Sequence, residues 1–82
     1  MKSSPPTKPL SLGAFVKAQR RAAQLSQREL ALRAGVGLRF VRELERDKPS
    51  LQLNSVNQVL QLFGYELGPV PMDRQKFIDA ER

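Results

Sequence analysis

Arg39 and Arg42 lie one helical turn apart in the segment Leu38-Arg39-Phe40-Val41-Arg42-Glu43-Leu44-Glu45. Set opposite Val41 and Leu44 on a helix, each guanidinium can aim two parallel N–H donors at guanine O6 and N7, a contact worth roughly 1 to 3 kcal/mol of base discrimination. The bland alternative is a solvated basic face. Arg39, early on that helix, reads as a base contact, and Arg42 as a contact to base or phosphate. Leu38 offers only apolar contact, to a thymine methyl or to the core. Glu43 can pair with Arg39 or Arg46 one turn away. Arg28, Arg46 and Lys48 are candidate phosphate neutralisers, although a single surface charge is more often simply solvated. If six phosphates were neutralised, log affinity would fall against log salt with a slope of roughly −5.

The same inventory excludes other chemistry. The 82 residues hold 14 Lys and Arg against 8 Asp and Glu, for a net charge of +6, and contain no His and no Cys. An imidazole base, a thiol nucleophile, a disulfide framework and the usual soft metal ligands are therefore missing. No paired carboxylates, Gly-rich phosphate loop or nucleophile motif is visible, so neither an enzyme nor a cofactor or metal is expected. The positive excess favours an anionic partner. No stretch approaches the roughly 20 apolar residues that cross a bilayer, and the first ten residues hold no apolar export segment. A membrane-surface helix is a poor fit too, because Ala14, Ala18, Ala22 and Ala23 interrupt the polar face of the first helix and interfacial aromatics are lacking. The expected location is the cytoplasm.

Two short helices must position these side chains. Ser26 and Glu29 form a capping box, in which the Ser26 hydroxyl accepts from the Glu29 amide while the Glu29 side chain accepts from the Ser26 N–H. A helix starts at Gln27, buries Leu30, Ala31 and Ala34, and ends at Gly35, which adopts a left-handed conformation without a Cβ penalty. Free N–H groups and the helix dipole favour an anion at that start, so the Gln27 amide is suited to donate to a phosphate; the alternative is a solvated first-turn residue. After Val36, Gly37 caps a third helix with Val41 and Leu44 on its inner face. Helices crossing steeply over so short a turn need a small residue at the approach, a flexible one in the turn and a branched one opposite; Ala31, Gly35 and Val41 occupy those places. An arginine-bearing helix exposed by such a corner fits the major groove.

The rest of the chain divides around this unit. Residues 1–10 hold three of the six prolines with Lys2 and Lys8, a composition expected to remain a disordered basic tail. Residues 11–64 carry nine basic and four acidic side chains and form the helical domain. Leu12, Phe15 and Val16 mark a first helix; Leu53, Val56, Val59, Leu60 and Phe63 mark a fourth, with Asn54 as N-cap and Gly64 at the end. Over 65–71, Tyr65, Leu67 and then Val70, separated by Glu66 and Gly68 and closed by Pro69 and Pro71, predict a short edge strand. Residues 72–82, with Phe77 and Ile78, are a tail or a short helix. Leu62 falls off the core face, and a strand with no partner in its own chain predicts pairing with a second copy through Leu62, Tyr65, Leu67 and Val70. The bland alternative is a strand lying on its own helices. The fold class expected is all-α: four helices, with a short C-terminal strand paired across a dimer.

Arg20, Leu25-Ser26-Gln27, Glu29-Leu30-Ala31, Ala34-Gly35-Val36, Val41, Leu44-Glu45 and Lys48, spaced as they are, resemble the lambda-repressor-like (Xre/Cro-type) helix-turn-helix family over about residues 12–64. The resemblance implies double-stranded DNA as partner, a compact four-helix domain, and a structural ion pair between Arg20 and Glu45. It also implies a base-facing position for Glu43, where a carboxylate can accept from cytosine N4. Within the family the chain looks most like HipB-type antitoxins, because Gly64 is followed by Tyr65-Glu66-Leu67 and a proline rather than a further helix. That implies a HipA-type kinase toxin as a second partner and control of its own operon. Three departures stand out. Gly37 replaces the usual hydroxyl residue at the cap, and Arg46-Asp47 stands where glycine is common. Phe40 replaces a small polar residue, leaving it to wedge against a sugar, touch a thymine methyl or pack on the domain edge. A repressor on a palindromic operator is thus the leading expectation, beside a stand-alone or phage-type repressor without toxin and a protein-binding adaptor that does not grip DNA.

Overall fold

The computed structural model describes residues 10–72; Lys2, Lys8, Phe77 and Ile78 lie outside the described residues. Its element order is α1 (Leu12–Ala22), α2 (Gln27–Ala34), α3 (Leu38–Glu45) and α4 (Leu53–Leu62). Helix α3 packs against both α1 and α2, and α4 closes the other side of α2. The core is Val16, Leu30, Ala31, Val41, Leu44, Val56, Val59 and Leu60, and Leu12, Phe15, Ala34, Val36, Leu51 and Phe63 pack around it.

Local chemistry sets most helix ends. The capping box forms, with Glu29 N donating to Ser26 Oγ at 3.0 Å and Ser26 N donating to Glu29 Oε1 at 2.7 Å. The bond that the Ser26 N–H donates to its carboxylate, foremost, holds the Glu29 carboxyl below its ordinary value. Gly35 ends α2 in the left-handed region at φ 75°. Gln58 on α4 donates to Ala34 O at 3.2 Å and ties the last turn of α2 to its neighbour. Gly37 precedes α3 with extended backbone and no side-chain cap.

Two expectations for α4 are corrected. The helix starts at Leu53 with Gln52 before it, so Asn54 lies inside the first turn and is not the cap. Leu51, two residues upstream of that start, packs against the core. Leu53 is 70% exposed: it shares a face with Leu60 but lies two turns away, beyond the packed part of the helix. No strand forms among the described residues, so the expected strand over 65–71 is not present in the chain by itself. Tyr65 N donates to Leu60 O at 3.0 Å as part of the α4 terminus, and Leu67 N donates to Asn57 Oδ1 at 2.8 Å. A side chain of α4 thus takes an amide that a ladder would have used.

The close of α3 explains how Arg46-Asp47 replaces a glycine turn. Asp47 adopts φ 61°, with its N–H on Leu44 O and the Lys48 N–H on Glu43 O, the pairing that usually places glycine in the left-handed position. A left-handed non-glycine residue costs about 1 kcal/mol. The Asp47 carboxylate offsets that cost by accepting from Gly13 N at 2.7 Å and Ser11 Oγ at 2.8 Å. It sits where the α1 dipole and free N–H groups favour a negative charge. Ser11 Oγ in turn accepts from Ala14 N.

Candidate nucleic-acid interface

Helix α3 separates its side chains by face. Val41, Leu44 and Glu45 are buried, whereas Arg39, Arg42 and Arg46 are exposed. Spacings of three and four residues bring those arginines onto one stripe. The Arg39 side chain is 91% exposed, and its Nε lies 3.3 Å from Glu43 Oε2. Lys48 Nζ reaches Glu43 Oε1 at 3.4 Å. Glu43 therefore pairs with Arg39 and Lys48 and makes no ion pair with Arg46; the turn through Asp47 carries Lys48 back over the last turn of α3. Leu38 and Phe40 are half-buried and pack against the core from the two flanks of the stripe. Arg28 is exposed on the first turn of α2.

Beneath the stripe lies a polar cluster. Arg20 Nε donates to Glu45 Oε2 at 2.7 Å and Arg20 Nη2 to Glu45 Oε1 at 3.1 Å, a two-pronged pair. The third guanidinium nitrogen, Nη1, donates to Leu25 O at 2.8 Å in the turn between α1 and α2. Gln27 Nε2 donates to Glu45 Oε1 at 3.0 Å. The anion met by that first-turn amide is thus the chain's own carboxylate, and one amide N–H of Gln27 is spoken for. Glu45 joins the end of α3 to α1 and to the start of α2.

Burial pushes the Glu45 carboxyl up, but the hydrogen bonds from Arg20 and Gln27, with the positive charges of Arg20 and Lys17, more than reverse this and leave it below its ordinary value. The hydrogen bond that Arg20 donates to Glu45 raises Arg20 against the opposing effect of burial. A carboxylate with a lowered folded pKa contributes stability that is fully present above the ordinary value of about 4.3 and lost as pH falls through the folded value. Thermal melts at stepwise lower pH are expected to show a midpoint that holds above pH 5 and then falls; for Glu45→Gln the fall is shallower. An unchanged slope in that variant would remove Glu45 as the titrating group.

The Tyr65 ring packs edge-on against Phe15, with centroids 4.7 Å apart and planes at 77°. Leu67 is half-buried against the core, while Leu62, Tyr65 and Val70 are exposed. The residues hardest to foresee were Ser11, Gly13 and Asp47, which join α1 to the end of α3 across more than thirty positions; only Ser11, a hydroxyl just before the first apolar helix residue, carries a local signal.

Two short helices at a glycine corner, the second presenting arginines, define a helix-turn-helix. A helix-turn-helix family model matches residues 16–70. The chain belongs to this family, in its Xre/lambda-repressor-like form, a class of DNA-binding transcription regulators and not of enzymes. It is 45% identical over 69 residues to an uncharacterized HTH-type transcriptional regulator, y4mF, of Sinorhizobium fredii, the match spanning 83% of this chain and 91% of that protein. No helix among the described residues is long and apolar enough to cross a membrane.

Proposed function

We propose that the chain is a sequence-specific repressor that binds double-stranded DNA as a twofold dimer and controls its own operon. The observation that carries this reading is the exposed stripe of Arg39, Arg42 and Arg46 on a helix whose opposite face is buried. In this reading α3 enters the major groove, Arg39 reads a base, Arg42 meets a base or a phosphate, and Arg28, Arg46 and Lys48 neutralise phosphates. Gln27 keeps one amide N–H for the backbone beside the start of α2. Leu38 and Phe40 border the groove as apolar flanks.

Dimerisation is supported by the chemistry around α4. No charged residue occurs from Pro49 to Tyr65, in a chain of net charge +6 whose copies otherwise repel. Leu62 and Tyr65 within that run, and Val70 beyond it, are 40%, 50% and 82% exposed. A strand over 65–71 in a paired molecule would present the amides of Glu66, Gly68 and Val70 on the edge opposite Leu67. Two copies so joined would present recognition helices about 34 Å apart to a palindromic site. The finer reading, an antitoxin that also binds a HipA-type kinase, rests on Gly64-Tyr65-Glu66-Leu67 and is decided by co-purification with such a kinase.

Footprinting on the DNA upstream of the coding region, with wild type and Arg39→Ala, tests the whole. Two protected half-sites one helical turn apart are expected, and the variant should lose roughly 1 to 3 kcal/mol of discrimination while keeping nonspecific binding. A single half-site would dismiss the dimer, and an unchanged pattern in Arg39→Ala would return Arg39 to the solvated face.

A further inference from the structure

Glu45 is buried, so Glu43 is the remaining carboxylate of α3, and it lies within the arginine stripe. Its two oxygens serve two different cations, Oε2 facing Arg39 Nε at 3.3 Å and Oε1 facing Lys48 Nζ at 3.4 Å. The cations are the more exposed partners, 91% for the Arg39 side chain and 44% for Lys48 against 26% for Glu43. A guanidinium held at Nε keeps its two terminal amino groups free as a planar fork, the arrangement that matches guanine O6 and N7. From this geometry we infer that Glu43 is a positioning residue for DNA discrimination, an internal counter-ion that aims Arg39 and competes with phosphates for Arg39 and Lys48. The inference rests on the reading above that Arg39 touches a base.

The physical consequence is asymmetric. On a duplex of the wrong sequence, a phosphate can gain Arg39 or Lys48 only by displacing a carboxylate already ion-paired with them, and that carboxylate repels it. On the right sequence, Arg39 spends its free edge on the base and keeps Nε on Glu43, so Lys48 alone has to leave the carboxylate for a phosphate. Glu43 thereby weakens binding to every duplex, and weakens binding to the wrong one more. A direct contact of Glu43 with cytosine N4 would behave differently, because removing it would relax the choice at one base pair and leave phosphate binding alone.

The test uses the full chain. Selection from a random duplex pool defines the preferred site, and wild type, E43Q, R39A and the double variant are then titrated on that site and on a scrambled duplex, at about 50 and 200 mM salt where the counterion effect is large. For E43Q the expected results are about tenfold tighter binding to the scrambled duplex, a log–log salt slope steeper by about 0.9 for each cation released to a phosphate, and a several-fold loss of discrimination spread over the site. With Arg39 already replaced, E43Q should still tighten scrambled binding through Lys48 but cost no further discrimination. An unchanged scrambled-duplex slope in E43Q overturns the inference, as does a loss confined to one base pair. A wild-type selection that enriches no sequence overturns the base-reading assignment beneath it, whereas a selected site with an unresponsive E43Q overturns the role of Glu43 alone.

Discussion

Glu45→Ala is expected to lower the stability of the domain by about 3 to 5 kcal/mol, the cost of removing one partner from a buried ion pair. The carboxylate is 2% exposed and the Arg20 side chain 12%. Its loss leaves the guanidinium with Leu25 O as its remaining acceptor and Gln27 Nε2 without Glu45. Domains of this size lose roughly 4 to 8 °C in melting temperature per kcal/mol, so a drop of more than 12 °C is expected. The double variant Arg20→Met/Glu45→Leu separates the penalty of an orphaned charge from the worth of the pair. With neither ion left in the interior, it should recover most of the lost stability. It should not recover the register of α3 against α2, since the bond from Gln27 is also gone. Urea titrations of the three proteins decide the matter, and a loss below 1 kcal/mol in Glu45→Ala would mean that water takes the place of the carboxylate.

Gly13→Ala should destabilise by about 2 kcal/mol or more, the cost of inserting a methyl where packing leaves no room. Glycine to alanine within a helix ordinarily stabilises by about 1 kcal/mol, so the expected sign is reversed. A Cβ at Gly13 would lie 2.6 Å from Leu44 O and 2.8 Å from Glu45 O, backbone atoms at the end of α3 that cannot rotate aside. It would also lie 2.8 Å from Asp47 Oδ1, so the shift that relieves the clash pulls apart the α1 cap. A Cβ at Gly37 meets nothing within 4 Å, and Gly37→Ser, which restores a capping hydroxyl, should be neutral or stabilising by a few tenths of a kcal/mol. Thermal melts of the two variants should therefore move in opposite directions or not at all for the second. A Gly13→Ala protein as stable as wild type would mean that α1 can slide on α3.

What was legible in the chain was what it specifies over a few residues. Ser26 and Glu29, Gly35, and the inward spacing of Val41 and Leu44 act within one or two turns, and the helix-turn-helix follows from them. The start of α4 was not legible: the helix begins at Leu53 without any side-chain cap, so the capping preference of Asn54 was no guide to it. Asp47 as a cap for α1 was illegible for a related reason: the bond joins positions that only the folded chain brings together. Gln27 is an intermediate case. A helix start does attract an anion, and sequence alone could not say that Glu45 supplies one from within the chain. For Tyr65 and Leu67 the alternation was visible, but not that Phe15 and Asn57 would engage them.

Helix α3 carries scaffold on one side and cargo on the other. Arg39, Arg42 and Arg46 contribute nothing to the core, and the groups that anchor the helix, Leu44 and Glu45, take no part in the outward stripe. On the proposed reading, the target preference of this molecule is separable from its folding: the outward positions would form a cassette open to rewriting, residue by residue, for other operators while the frame beneath stays as it is.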